Sequence, residues 1–168
     1  MGSVTQVQNW DEVPRSLREG AVLLEINGEL QGDAGRGLAR LAALEVPVVS
    51  ALSGEGDATL LAVALVSAYC TASPSLRVDC NSVRLLLELG LPWRTLQRGC
   101  QSLLFAGRLT GEQLAARGFV QLSTDAREVA ERLASDSASA LLVRSLRSAA
   151  RSDAAQAAAY DRELLKLL

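Results

Sequence analysis

The sequence contains no histidine, and this absence removes several kinds of reactive site. Its 168 residues include three cysteines, Cys70, Cys80 and Cys100, and no two of them have the spacing of a CxxC pair. A zinc site, a Ser-His-Asp triad and a Cys-His pair each need an imidazole or more thiolates than these. We therefore expect no metal and no cofactor, and we interpret the cysteines as buried, reduced thiols.

Aromatic residues and lysine are also scarce. There are two Trp, two Tyr and two Phe, and Lys166 is the only lysine, whereas 49% of the residues are hydrophobic, mostly Ala, Leu and Val. This composition favours closely packed helices around an aliphatic core. The 17 basic and 19 acidic side chains give a formal net charge of −2. A sequence with this charge balance lacks the excess of basic residues that is typical of nucleic-acid binding.

Long uninterrupted apolar runs are missing as well. The stretch MGSVTQVQNWDEVPRSLREG is polar and has no apolar core of signal-peptide length, and no other stretch is long enough to span a bilayer. We therefore expect a cytoplasmic protein without a membrane partner. No Pro/Gly/Ser-rich linker divides the chain, and its length suits one compact domain.

Short apolar runs predict the strands of a small parallel sheet. These runs are residues 21–26, which lie between Gly20 and Asn27, residues 46–52, which precede the turn at Gly54, and residues 76–78, which follow Pro74. Between the first two lies GELQGDAGRG, which holds four glycines and cannot form a regular element. A short amphipathic helix over residues 38–44 follows it and stops before Pro47. The alternation of strands and helices predicts an α/β layer.

The stretch PVVSALSGEGDATLLAVALVSAYCTAS, residues 47–73, predicts a strand that turns through glycines into a buried helix. Asp57 is well placed to cap this helix, because its carboxylate can accept from the unpaired N–H groups of the first turn. The helix, predicted over residues 58–69, is apolar nearly all round and should be central.

The second half of the sequence predicts further helices. Residues 83–89 form a helical or extended piece, and residues 96–105 a helix that ends at Gly107. Thr110 and Gln113 match the capping box of a helix that stops at Gly118. Residues 125–168 are rich in Ala, Leu, Arg and Ser without Pro or Gly, which predicts two or three helices.

Two of these segments carry a resemblance to a known family. PVVSALSGEGDATLLAVALVSAYCTASPSLRV resembles the central block of the crotonase (enoyl-CoA hydratase/isomerase) superfamily. SLLFAGRLTGEQLAARGFV is similar to a later segment of that family, with Gly107, Arg108 and Gly118 in step. The resemblance covers about residues 20–135 and implies a reduced crotonase-like spiral, with a small parallel sheet and a helical C-terminal tail.

The resemblance also implies a site for an acyl thioester. Crotonases hold the thioester carbonyl with two backbone N–H groups, an oxyanion hole that stabilises the enolate as it forms. If LQGDAG stands for the family's Ala-Gly-Ala-Asp loop, Gln31 matches the first donor, and Thr59 falls at the second. Asp57 is a candidate base beside them, although the helix cap is the simpler explanation of this residue. The candidate substrate-binding positions are Gly54, Gly56, Ala58 and Leu60.

The sequence departs from the family where hydration needs carboxylates. Hydratases use two glutamates, and the same alignment places Ala62 and Ser82 at these positions, where neither can transfer a proton as a carboxylate would. The family's run of three glycines is Ala58-Thr59-Leu60 here, and a β-carbon at the donor narrows the approach of a ligand. The chain is also shorter than typical crotonases. Ordinary hydratase activity is therefore not expected.

Three functions remain open. The first is a divergent crotonase that acts on or binds thioesters of CoA or of an acyl carrier protein. Its reaction would be decarboxylation or isomerisation in polyketide or other secondary metabolism, and EQLAARGFV, with Arg117-Gly118, is similar to such biosynthetic members. The second is a non-catalytic crotonase-fold scaffold or interaction protein. The third is a plain small α/β domain whose matches are compositional accidents.

The domain assignment follows from the same resemblance. Residues 1–135 form the α/β core, with residues 1–19 as a polar N-terminal extension, and residues 136–168 form a helical segment that covers the core or contacts another copy. Family resemblance implies a homotrimer.

Overall fold

The computed structural model describes residues 2–122 and 125–150, together with residues 156, 163, 166 and 167. The strands, in chain order, are β1 (Val4–Val7), β2 (Ala21–Asn27), β3 (Val48–Ser53), β4 (Glu55–Asp57), β5 (Tyr69–Ala72), β6 (Arg77–Asp79) and β7 (Arg108–Thr110). The helices are α1 (Ala34–Ala43), α2 (Ala58–Val66), α3 (Val83–Glu88), α4 (Leu91–Gln97), α5 (Gly111–Ala116), α6 (Ala126–Ser135) and α7 (Ser137–Ala149). Trp10–Glu12 and Gln101–Phe105 are 3-10 helices.

A four-stranded parallel sheet in the order β1-β2-β3-β5 forms the centre of the fold. Parallel strands are usually covered on both faces, and this sheet follows the rule. The larger apolar cluster, which includes the side chains of α1 and α2, contains Leu24 and Val48 of the sheet. On the opposite face, α6 packs on Leu23 and Val49. The predicted α/β class with a small parallel sheet is confirmed.

One predicted strand belongs to a different sheet. We expected residues 76–78 to pair with the first two strands, but the strand Arg77–Asp79 lies in a second, three-stranded sheet of order β4-β6-β7. The central sheet is completed instead by Tyr69–Ala72. The expected helix over residues 58–69 ends at Val66, because the Ser67 hydroxyl donates to the Val63 carbonyl (2.7 Å) and the Ala68 N–H pairs with Val48 of the sheet (2.8 Å).

The central position of α2 is as predicted. Leu61, Ala62 and Val63 have no exposed surface, and apart from the partly exposed Thr59 no residue from Ala58 to Leu65 exceeds 5% exposure. Burial of an aliphatic side chain stabilises a fold by roughly 1.5–3 kcal/mol, so α2 is a main contributor to the stability of the core.

The segment after α3 differs from the expected single helix over residues 96–105. A helix begins earlier, at Leu91, with Pro92 in its first turn, where a missing N–H costs nothing. Gly99, with φ of +64°, then separates α4 from the 3-10 helix Gln101–Phe105. Farther along, the capping box at Thr110 and Gln113 is present as predicted.

Residues 2–19, which we described as a polar extension, contribute to the sheet and to the core. Val4–Val7 pairs with β2 as an edge strand. Trp10 is 2% exposed and lies against α1, where it contacts Gly37. The boundary at residue 135 and the role of residues 136–168 as an oligomer contact stay predictions, and most of residues 151–168 lie outside the described part of the chain.

Candidate functional site

The predicted site lies where β4 leads into α2. Asp57 is the last residue of β4 and the N-cap of α2, and its Oδ1 accepts a hydrogen bond of 2.8 Å from the Thr59 N–H. The predicted cap is therefore confirmed. It also means that the N–H we assigned to the second donor position is already bound by a carboxylate.

Glycines allow the loop after β2 to lie directly on this segment. Gly54 has φ of +75°, and a β-carbon there would overlap the Asn27 side chain. A β-carbon on Gly56 would overlap the Gly28 carbonyl oxygen and come within 2.7 Å of Leu60. Gly28 in turn donates its N–H to the Ser53 carbonyl (2.8 Å). Gly54 and Gly56 thus serve a close contact between two backbone segments.

Gln31 stands apart from these contacts. Its carbonyl accepts the Trp10 N–H at 2.7 Å, so the buried Trp10 anchors the loop that precedes α1. Its side chain is exposed. Within the described residues, no hydrogen bond links Gln31 to residues 54–60. The pairing of Gln31 with Thr59 as two oxyanion donors stays a prediction.

The two positions that carry glutamate in hydratases have other roles here. Ala62 is completely buried in α2, among the side chains of the apolar core. Ser82 is exposed and caps α3, because its Oγ accepts the Leu85 N–H at 3.3 Å. Neither residue can exchange a proton with a substrate at neutral pH, as a general acid or base must.

Other carboxylates near the site are engaged in ordinary contacts. Asp33 caps α1 by accepting the Arg36 N–H at 3.0 Å. Glu55 pairs with Arg108 at 3.6 Å across exposed side chains. Asp79 is the register partner of Asp57 in the β4–β6 pair, which places two acidic residues side by side.

A groove that sequence reasoning did not find runs beside these acidic residues. Its volume is about 310 Å³, and α3, α4 and the 3-10 helix Gln101–Phe105 provide most of its lining, which consists of Cys80, Asn81, Val83, Leu86, Leu87, Pro92, Leu104, Phe105 and Gly107. These residues come from separate elements and carry no motif. The only sequence signal was the apolar content of residues 83–89, which we left open as helical or extended.

Cys80 connects the groove to the cap of α2. Burial, followed by the charges of Asp79 and Asp57, raises the pKa of the Cys80 thiol to about 11. Cys80 follows Asp79, the register partner of Asp57, so one end of the groove adjoins the strand pair that leads into α2. Burial likewise raises the pKa of Cys70 to about 11. All three cysteines are free and buried, as predicted, and Cys80 is a protonated thiol at neutral pH.

The described residues show neither a metal site nor a membrane span. Within residues 2–122 and 125–150 and the four isolated positions, no cluster of three potential metal ligands is present. In the same part of the chain, no helix combines the length and the apolar character needed to cross a bilayer.

Comparison with known proteins identifies the fold. No protein-family model and no curated protein matches the sequence. Solved structures do match. They include the enoyl-CoA hydratase/isomerase from Cupriavidus metallidurans CH34, at 19% identity over 88% of this chain and 70% of that chain, with a TM-score of 0.69. The enoyl-CoA hydratase from Bacillus anthracis matches at 15% identity over 88% of this chain and 72% of that chain, with a TM-score of 0.70. The chain thus has the crotonase fold that its sequence resembles.

Proposed function

We propose that this chain binds acyl thioesters, of CoA or of an acyl carrier protein, as a divergent enoyl-CoA hydratase/isomerase-like protein without ordinary hydratase chemistry. The observation that carries the proposal is the apolar groove that begins at Cys80, next to Asp79, which is the register partner of the α2 cap Asp57. An acyl chain fits a groove of this lining, and its carbonyl would then lie near the helix N-terminus, whose dipole attracts partial negative charge.

Hydration is excluded from the proposal for a chemical reason. A hydratase delivers water and a proton to opposite ends of an alkene and needs two titratable groups to do so. Ala62 and Ser82 supply neither. Decarboxylation of a thioester depends mainly on polarisation of the carbonyl, which backbone N–H groups can provide. Isomerisation also moves a proton from one carbon to another, and Asp57 is the candidate carboxylate that would carry it. We therefore place any turnover in these two reaction classes, in secondary metabolism such as polyketide assembly.

A second candidate function is that of a non-catalytic scaffold, and one contact favours it. The Thr59 N–H donates to the Asp57 carboxylate, so an anion already occupies the donor that an enolate would need. A protein that keeps the fold but works through its surface would retain this cap. The expected homotrimer and the cytoplasmic location are compatible with both functions and stay predictions.

Two variants of the same contact test the proposal. Asp57→Ala removes the cap acceptor, leaves the Thr59 N–H free, and costs about 1 kcal/mol of stability. Thr59→Pro removes the same hydrogen bond together with the N–H itself. Proline is tolerated in the first turn of a helix, and Pro92 occupies the equivalent second position of α4. The two variants thus differ mainly in the donor.

The measurement is the thermal shift caused by acyl-CoA and acyl-pantetheine thioesters, together with an assay of crotonyl-CoA hydration. We expect binding by the wild type and by Asp57→Ala, loss of binding in Thr59→Pro, and no hydration by any of them. Equal binding by both variants would remove Thr59 from the site. No thioester binding by the wild type or by Asp57→Ala would favour the scaffold, and measurable hydration would contradict the reading of Ala62 and Ser82.

A further inference from the structure

The groove has two different ends. Cys80 and Asn81 follow β6, and the Cys80 N–H donates to the Gly107 carbonyl at 2.7 Å, so these three lining residues form one end. Leu87 lies in the last turn of α3 and Pro92 in the first turn of α4, and both line the groove farther along the chain. An acyl chain with its carbonyl at the β6 end therefore extends along α3 towards Leu87 and Pro92.

The lining beyond the β6 end is apolar. Within the described part of the chain, nine residues line the groove, and only Cys80 and Asn81 among them carry a polar side chain. Leu86 is 6% exposed, whereas Leu87 and Phe105 are 64% and 88% exposed. An aliphatic chain that lies on these side chains removes apolar surface of both partners from water, which favours its binding. The groove therefore favours a hydrocarbon chain over a polar acyl group.

The basic side chains near the groove are already engaged. The four arginines of residues 80–108 are Arg84 and Arg108, which pair with the carboxylates of Glu88 (2.7 Å) and Glu55 (3.6 Å), and Arg94 and Arg98, which donate to the backbone carbonyls of Leu89 (3.3 Å) and Leu65 (2.8 Å). None of these four arginines lines the groove. A carboxylate at the far end of an acyl chain would thus lose hydration without gaining a partner, and the burial of an unpaired charge is costly.

The size of the groove limits the length of the chain. Its volume is about 310 Å³. A group of the size of one water molecule or one methylene occupies roughly 30 Å³, so the groove holds about ten such groups. The thioester carbonyl uses part of this space at the β6 end, which leaves room for an acyl group of about eight to ten carbons in total. Further carbons would project past Leu87 and Pro92 into solvent.

We propose that the groove selects an uncharged aliphatic acyl group of medium length, about eight to ten carbons, and discriminates against acyl groups with a charge at the far end. This selectivity rests on the proposed function, because the same groove holds the acyl chain, and it adds the class of acyl group. The selectivity comes from contacts along α3, so it is the same for thioesters of CoA and of an acyl carrier protein.

The probes are the CoA thioesters of straight-chain acids with four, six, eight, ten and twelve carbons. Binding is measured by isothermal titration calorimetry below the concentrations at which these compounds form micelles. We expect the affinity to rise about two- to fourfold with each added carbon up to about eight to ten carbons, and to change less than about twofold from ten to twelve. An eight-carbon probe with a carboxylate on its last carbon should bind at least about tenfold more weakly than octanoyl-CoA.

Leu87→Glu and Leu142→Glu form a matched pair of variants. Leu87 lines the groove and Leu142 lies on α7, and the two side chains are 64% and 62% exposed, so neither change places a charge in the core. We expect the ratio of octanoyl-CoA to butyryl-CoA affinity to fall about tenfold in Leu87→Glu and to stay the same in Leu142→Glu. An eight-carbon probe with an amino group on its last carbon should bind Leu87→Glu about two- to fivefold more tightly than the wild type, because the new carboxylate pairs with the ammonium group.

Results that contradict this selectivity differ from those that contradict thioester binding. Equal affinity for all chain lengths, or a rise that continues to twelve carbons, would overturn the selection of a medium-length chain while thioester binding stands. Equal or tighter binding of the carboxylated probe would show that a cation receives the far end of the chain. An equal loss in Leu87→Glu and Leu142→Glu would place the acyl chain outside the groove. Failure of the wild type to bind any of the five thioesters would remove the proposed function, and this selectivity with it.

Discussion

Two glycines of α1 should respond in opposite directions to the same substitution. Gly35 and Gly37 lie in one helix, although we expected residues 28–37 to be irregular and the helix to begin at residue 38, and neither glycine needs a positive φ. Helix propensity alone favours alanine over glycine by about 0.8–1 kcal/mol at both positions. A β-carbon on Gly35 meets only the Asp33 side chain at 3.5 Å, which is an ordinary contact. We therefore expect Gly35→Ala to stabilise the protein.

At Gly37 the packing outweighs this gain. A β-carbon there would overlap the Trp10 ring at Cε3 and lie 3.0 Å from its Cδ2 and 3.2 Å from its Cβ. The ring is 2% exposed and has no free space to move into without losing burial. Forcing extra volume into a packed core costs about 1–3 kcal/mol. Subtraction of the propensity gain leaves Gly37→Ala neutral at best and destabilising by up to about 2 kcal/mol.

Urea unfolding followed by circular dichroism measures both changes in the free energy of unfolding. In thermal unfolding, each kcal/mol should shift Tm by about 2–4 °C for a chain of this size. In a Trp10→Leu background the overlap disappears, and Gly37→Ala should then stabilise as Gly35→Ala does. Stabilisation by Gly37→Ala in the wild type would refute the packing of residues 2–19 on α1. The same result would argue against the hydrogen bond from the Trp10 N–H to the Gln31 carbonyl.

Two further perturbations test the site and the core. Gly56→Ala should destabilise by about 1–3 kcal/mol in urea, because its β-carbon meets the Gly28 carbonyl rather than a movable side chain; an unchanged midpoint would contradict this contact. Cys70 and Cys80 have pKa values raised to about 11, whereas an unfolded thiol ionises near ~8.5. Stability from the protonated thiols is therefore present below about pH 8.5 and lost as the pH rises to about 11. The urea midpoint should fall less steeply over this window in the Cys70→Ala/Cys80→Ala variant, and parallel curves would argue against buried, protonated thiols.

Local patterns predicted what depends on neighbouring residues. The apolar run after Asp57 predicted both the cap and the burial of α2, because the cap is a contact within one turn and burial follows from hydrophobicity all round the helix. Thr110 and Gln113 predicted a capping box for the same reason. In each case the interacting atoms are close in sequence, so the pattern contains the contact.

Contacts between distant segments could not be read in this way. Val4–Val7 is short and partly polar, and its place in the sheet depends on pairing with β2. Trp10 gave no sign that it lies on α1. The strand Arg77–Asp79 looked like a member of the central sheet, because an isolated apolar run does not say which strand it pairs with. The groove is lined by several elements and has no local signature.

The contact between Asp57 and Thr59 indicates whether the site favours binding or turnover. A neutral thioester carbonyl at the Thr59 N–H gains about as much as the cap it displaces, about 1 kcal/mol each, and the exposed Asp57 side chain can rotate into solvent at small cost. An enolate gains more, about 2.7–4 kcal/mol per donor. However, a carboxylate that stays within about 4 Å of the oxyanion repels it by about 1 kcal/mol in water and by about 4 kcal/mol at an effective dielectric constant of 20, and Asp79 adds a second charge nearby.

The repulsion therefore cancels part or all of the gain from the oxyanion contact, and the wild type should stabilise the enolate less than a variant without this charge. Asp57→Asn keeps a cap acceptor and removes the charge. We expect this variant to retain thioester binding and to decarboxylate malonyl-CoA measurably faster than the wild type, since loss of CO₂ leaves an enolate that needs stabilisation and no protein base. The assay follows the formation of acetyl-CoA by chromatography, with Asp33→Asn, the equivalent change at the cap of α1, as the control. Faster decarboxylation by the wild type than by Asp57→Asn would show that the Asp57 carboxylate assists the reaction and that the electrostatic argument is wrong.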